Sequence, residues 1–126
     1  MMVTFSKVYI CSPLRAMTDI EMKINQKNAR MYAQTASKML SCRAIAPHAI
    51  LPDLVDERDT AERTAALEFG LRMLKTCDAV LVCGSVMSEG MISEIKYAME
   101  CGIPVYRFNP DACLKPVCGL TVLERL

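Results

Sequence analysis

Within MSEGMISEI, residues 87 to 95, Ser88 and Gly90 look like a helix start, and Glu94 follows one turn in. A serine-glycine start offers a hydroxyl and free backbone amides at the positive end of the helix dipole, which suits an anion. The same serine can equally do no more than cap its own helix. Glu94 lies too far along to be a cap. With Met91, Ile95, Ala98 and Met99 as the buried stripe, a turn of about 100° per residue sets Glu94 beside Ala98 at the margin, away from Lys96 and Glu100. A carboxylate there is either a boundary group with its head in water, or a nucleophile or general base made reactive by partial burial and a neighbouring donor.

Other residues are candidates for the same site. His48 is the only histidine and lies in a proline-bracketed loop, where it is either a structural hydrogen-bonder or part of a site. Arg15, just behind Pro13, is either a solvated arginine or a phosphate clamp, since guanidinium forms a bidentate fork with phosphate oxygens. Tyr9 ends a strand, where tyrosines commonly pack. Ser12 and Gly84 belong to the same group of loops and complete the set of expected binding residues. Arg63 and Glu68 are expected to face solvent. Neither G-x-G-x-x-G nor a Walker pattern occurs.

Alternating elements must position these residues. FSKVYI (5–10) reads as a strand stopped by Pro13. Thr18 and Glu21 form a capping box for a helix running to about Leu40, with Ile20, Ile24, Ala29, Tyr32, Ala36, Met39 and Leu40 as its inner face. CRAIA (42–46) is a second strand, followed by a long proline-punctuated loop over 47–59. Asp59 and Glu62 start a helix that reaches Lys75. DAVLVCG (78–84) is apolar enough for a central parallel strand covered on both faces. The helix bearing Glu94 follows and closes at Gly102. IPVYRF (103–108) is the last clear strand, and residues 109–126 are left unassigned and mostly irregular. Leu120, Val122, Leu123 and Leu126 there stand at near-helical spacing and serve either a subunit interface or packing on their own sheet, which sequence does not decide. Such alternation predicts right-handed crossovers and a parallel sheet of four to five strands between helices. Ligands then bind beyond the carboxyl ends of the strands, where CSPLR, APH, CGSVMSEG and RFNP converge.

The totals narrow the function. A chain of 126 residues, 52% apolar and 23% charged, argues for one globular domain. Fifteen basic residues against fourteen acidic ones leave a formal charge of +1, which gives no footprint for nucleic acid or an anionic membrane. No apolar run approaches the roughly 18 residues of a membrane span. The N-terminus lacks signal-peptide features, so a cytoplasmic protein is expected. The seven cysteines show no C-x-x-C and read as small buried thiols, with no metal or cofactor expected.

Three blocks, VYICSPLR (8–15), APH (46–48) and CDAVLVCGSVMSEGMISEIKYAMECGIPV (77–105), together resemble the nucleoside 2-deoxyribosyltransferase superfamily. The characterised branch with the same serine-to-glutamate spacing is that of the 2′-deoxynucleoside 5′-phosphate N-hydrolases, and the overall pattern is closer still to a branch frequent in bacteria and phages. The resemblance implies a single Rossmann-like (flavodoxin-like) α/β domain acting on an N-glycosidic bond, by hydrolysis or transfer, without a cofactor. It implies Glu94 as the nucleophile, Tyr9 as its orienting hydroxyl, Ser88 and Arg15 in a 5′-phosphate pocket, and His48 at the sugar or base end. It also implies a nucleoside or nucleotide substrate and a homodimer or larger assembly. One departure stands out. Where the characterised enzymes carry an aspartate that serves the leaving base, this chain has Gly70, and Glu68 lies about 200° away around the helix. The alternative is therefore a non-catalytic nucleotide sensor or sequestering module, or an interaction domain with a vestigial rim.

Overall fold

The structure is a computed structural model that describes residues 5–14, 17–50, 56, 58–108 and 120–122. Strand β1 (Lys7–Cys11) leads into helix α1 (Asp19–Leu40), strand β2 (Arg43–Ile45) and a short 3-10 turn (Pro47–Ala49). Helix α2 (Thr60–Lys75), strand β3 (Ala79–Val82), helix α3 (Glu89–Glu100) and strand β4 (Val105–Phe108) follow, and β5 (Leu120–Val122) comes last. The strands lie in the order β2-β1-β3-β4-β5. The first four are parallel, as the alternation of elements predicts, and β5 runs antiparallel to β4.

Period-two alternation divides β1 between two cores. Val8 and Ile10 face the α1 side with Ala36, Leu81 and Phe108. Tyr9 and Cys11 face the other layer with Leu74, Val80, Met91, Ile95 and Ala98. Burying each large side chain contributes about 1.5–3 kcal/mol, so the two faces of β1 and β3 carry much of the folding free energy. Local chemistry sets the helix starts. The Thr18 hydroxyl accepts from the Glu21 amide, and the Asp59 carboxylate accepts from those of Ala61 and Glu62. Asp78 belongs to the strand framework: one carboxylate oxygen accepts from the backbone amides of Ser6 and Lys7 and from the Ser6 hydroxyl, joining the starts of β1 and β3. Those backbone amides, Lys7 foremost, hold its carboxyl below the ordinary value of 3.8.

Two expectations change. Ala29 and Ala36 are the buried residues of α1, whereas Ile20 and Ile24 are 74% and 53% exposed. The reason is length: 22 residues of helix span about 33 Å, whereas five residues of β1 span about 17 Å. The first turns of α1 therefore overhang the rim. There they use polar side chains: the Asn25 amide donates to the Leu14 carbonyl, and Gln26 and Arg30 donate to that of Ala49. In the tail, Leu120–Val122 is a strand, with Tyr106 opposite Val122 and Phe108 opposite Leu120. The outer edge of β4 offers a hydrogen-bonding ladder, and Thr121 and Val122 are β-branched, so the near-helical spacing of that segment does not decide its structure.

Candidate active site

The sheet order places the topological switch point between β1 and β3, where α/β sheets open a crevice at the carboxyl ends of their strands. A cavity of about 290 Å³ lies on the α2–α3 side of this region. Tyr9 and Glu94 line it, as do His48 from the 3-10 turn, Ser88 and Gly90 from the start of α3, and Arg63 and Gly70 from α2.

Glu94 is only 8% exposed and sits in the same stripe as Met91, Ile95 and Ala98, deeper than the margin its spacing predicts. The Tyr9 hydroxyl donates a hydrogen bond to its Oε2. The Cys11 thiol lies 3.5 Å from Oε1 and 3.8 Å from the Met91 carbonyl, so its single hydrogen is shared between two acceptors. Burial pushes the Glu94 carboxyl above its ordinary value of 4.5, while His48 and the hydrogen bonds from Tyr9 and Cys11 draw it partly back. Tyr9 itself is pushed far up, first by burial and then by the Glu94 charge, so the shared proton stays on the phenol. The result is a buried carboxylate with a phenol donor on one oxygen and a weak thiol donor on the other.

His48 is fixed from behind. Its Nδ1 lies 3.0 Å from the Ser12 carbonyl, which can only accept, so Nδ1 carries the hydrogen and Nε2 is the ring's remaining polar atom. Ser12 therefore serves the cavity through its backbone. Its hydroxyl is buried, lies outside the cavity lining and has no hydrogen-bond partner among the described residues. Ser88 caps α3, its hydroxyl accepting from the Met91 amide at 3.3 Å, and it also lines the cavity. Gly84 stands apart from the lining. Its φ of +88° turns the chain after β3, and a Cβ there would lie 3.5 Å from Pro13 and from the Tyr32 hydroxyl. Arg15 lies outside the described residues.

Residues 6–108 match the model of a family described as Domain of unknown function (DUF7768). The chain belongs to this family. The DUF7768 match contains every cavity-lining residue and ends where β4 ends. A solved 2-deoxyribosyltransferase from the psychrotolerant bacterium Bacillus psychrosaccharolyticus has a similar fold. Its TM-score is 0.63 at 20% identity, over 83% of this chain and 73% of that one. Comparison with curated protein sequences finds no match.

Two residues of α2 alter the reading of the site. Arg63, expected to face solvent, lines the cavity, whereas Glu68 does face outward and pairs with Arg72 at 3.9 Å. A signal for Arg63 was available: it precedes Gly70 by seven residues, about 20° short of two full turns, so the two share a helix face. Gly70 leaves room for the phenol, since a Cβ there would come within 3.3 Å of the Tyr9 hydroxyl. Gly70→Ala is therefore expected to press that hydroxyl off Glu94. Helix propensity gains about 1 kcal/mol and offsets the crowding, so Tm changes little while the acid limb of any pH–rate profile moves upward. Parallel thermal melts and pH–rate profiles check this, and an unmoved limb counts against the close approach.

Proposed function

We propose that this protein hydrolyses, or transfers at, the N-glycosidic bond of a nucleoside or deoxynucleoside 5′-monophosphate, with Glu94 as the nucleophile. The observation that carries this reading is the buried Glu94 carboxylate on the cavity wall, held through Oε2 by the Tyr9 hydroxyl. Oε1 has only a weak thiol contact and keeps a lone pair for attack. In the first step Oε1 bonds to the anomeric carbon as the C–N bond breaks and its electron pair leaves with the base. A developing oxocarbenium charge next to a carboxylate is stabilised most in a water-poor site. Water then opens the glycosyl ester, or a second base does so in a transfer. The similar fold of a 2-deoxyribosyltransferase is consistent with this chemistry.

The 5′-phosphate is assigned to the first turn of α3. Ser88 spends a lone pair on its own helix but keeps its hydroxyl hydrogen for a phosphate oxygen, and Gly90 exposes backbone there. Arg15 is proposed to join that contact. Anchoring the phosphate positions the anomeric carbon against Glu94.

One observation favours a second reading, binding without turnover: Glu94 is the only carboxyl group lining the cavity among the described residues, so no second carboxylic acid serves the departing base. A thermal-shift screen over nucleosides and nucleotides, followed by chromatography for free base, separates the two. A ligand at 100 times its Kd stabilises by about 2.7 kcal/mol, a shift of several degrees. Stabilisation with free base released supports the enzyme. Stabilisation with nucleotide recovered intact selects the binding module, and no shift with any nucleotide rejects both.

A further inference from the structure

Arg63 is the only lysine or arginine among the described residues that line the cavity, and no described residue offers its guanidinium a hydrogen bond or an ion pair. Its helix, α2, presents a graded face to the cavity. Gly70 lies against the Tyr9 hydroxyl, Ala66 and Leu67 form an apolar strip above it, and Arg63 stands at the outer end. Seven residues of helix separate Arg63 from Gly70 by about 10 Å along the axis. A flat heteroaromatic ring leaving an anomeric carbon beside Glu94 would lie along the apolar strip with its edge toward Arg63.

The chemistry asks for a donor at that edge. Glu94 must be ionised to attack, and the Tyr9 hydroxyl is committed to it. The base therefore departs holding the electron pair of the broken C–N bond, and that charge must be stabilised before water protonates the base. A guanidinium does this without giving up a proton, by two parallel hydrogen bonds to a carbonyl oxygen beside an unprotonated ring nitrogen. We propose that Arg63 grips the acceptor edge of the leaving base and stabilises its developing negative charge, favouring bases that pair a carbonyl with a bare ring nitrogen. Guanine offers O6 and N7 and cytosine offers O2 and N3, whereas adenine sets an amino donor beside N7. The assignment rests on the glycosidase reading above and names the leaving-group determinant within it.

The test compares wild type, Arg63→Met and Arg63→Lys on dGMP, dAMP and 4-nitrophenyl 2-deoxyribose 5-phosphate, whose leaving group needs no assistance. Arg63→Met is expected to lower kcat on dGMP by about 100-fold, the scale of losing one donor to a developing anion, with little change on the nitrophenyl substrate. The wild-type preference for dGMP over dAMP should collapse in Arg63→Met. Arg63→Lys should recover only part of the loss, because a point charge cannot form the fork. Equal losses on dGMP and the nitrophenyl substrate overturn the role of Arg63 while leaving the glycosidase reading intact, as does unchanged base preference. Wild type inert toward all three substrates overturns the glycosidase reading, and this inference with it. The position is on the first turns of a helix and Met is a good helix former, so melting temperatures should match and tie any loss to chemistry.

Discussion

Glu94→Gln is expected to abolish base release while leaving a folded protein that is more stable than wild type at neutral pH. The loss follows from chemistry: an amide oxygen is a poor nucleophile toward an anomeric carbon, and removal of a nucleophile costs at least about 10³-fold in kcat. Folding should survive because Gln has the shape of Glu and keeps an acceptor for the Tyr9 hydroxyl. The gain in stability follows from burial. The Glu94 carboxyl titrates above its ordinary value of 4.5 in the folded state, chiefly through desolvation. The folded state thus holds the proton more tightly than the unfolded chain, and wild type loses stability as pH rises from about 4.5 through the folded value. Gln has no such titration. The advantage of Glu94→Gln should be smallest near pH 4, grow through the raised range and then level off. Thermal melts across that range, with base release measured alongside, check both halves. Full activity in the variant removes Glu94 as nucleophile, and a stability gap that narrows with pH contradicts the raised carboxyl.

Much of this arrangement was legible in the residues. The alternation of apolar segments carries the order of β1 to β4 and their parallel pairing, because covered parallel strands must be apolar on both faces and DAVLVCG is. Thr18 and Asp59 marked their helix starts through capping chemistry that is local in sequence. What failed depended on distant geometry. Ile20 and Ile24 fit the inner periodicity of α1, yet they are exposed, on turns of a helix about twice as long as β1. Ser12 is expected among the binding residues, and its backbone carbonyl faces His48, a contact that side-chain type cannot foretell because it says nothing about where a backbone oxygen points. Arg63 is expected to face solvent, although its angular position puts it on the Gly70 face. By sequence Cys11 is a small buried thiol. It is buried, but its placement two residues after Tyr9 also brings it to Glu94 on the same face of β1.

Tyr9→Phe should leave the fold in place and move the acid limb of the pH–rate profile upward. Phe fills the same volume between β1 and α2, so the change removes one hydroxyl from a fully buried position. That hydroxyl is the strong donor to Glu94, and it helps hold the carboxylate in its ionised form. A hydrogen bond to a charged group is worth about 1.5–3 kcal/mol, so ionised Glu94 in the variant is rarer at a given pH and less firmly aimed. The expected loss in kcat at neutral pH is roughly 10- to 100-fold, partly recovered at higher pH as the remaining carboxyls ionise. Recovery with pH separates a positioning role from general damage, because a distorted cavity would lose rate at every pH. Stability should follow the same logic. Tyr9→Phe should cost more at pH 8 than at pH 4.5, since only the ionised carboxylate is left short of a donor. The pair can be isolated with a double-mutant cycle. In a Glu94→Gln background, Tyr9→Phe should lose most of its pH-dependent cost, because the charge it serves is gone. An acid limb unmoved by Tyr9→Phe, together with additive stabilities in the cycle, would mean that the phenol only fills space and that Glu94 is tuned by burial, His48 and Cys11 without it.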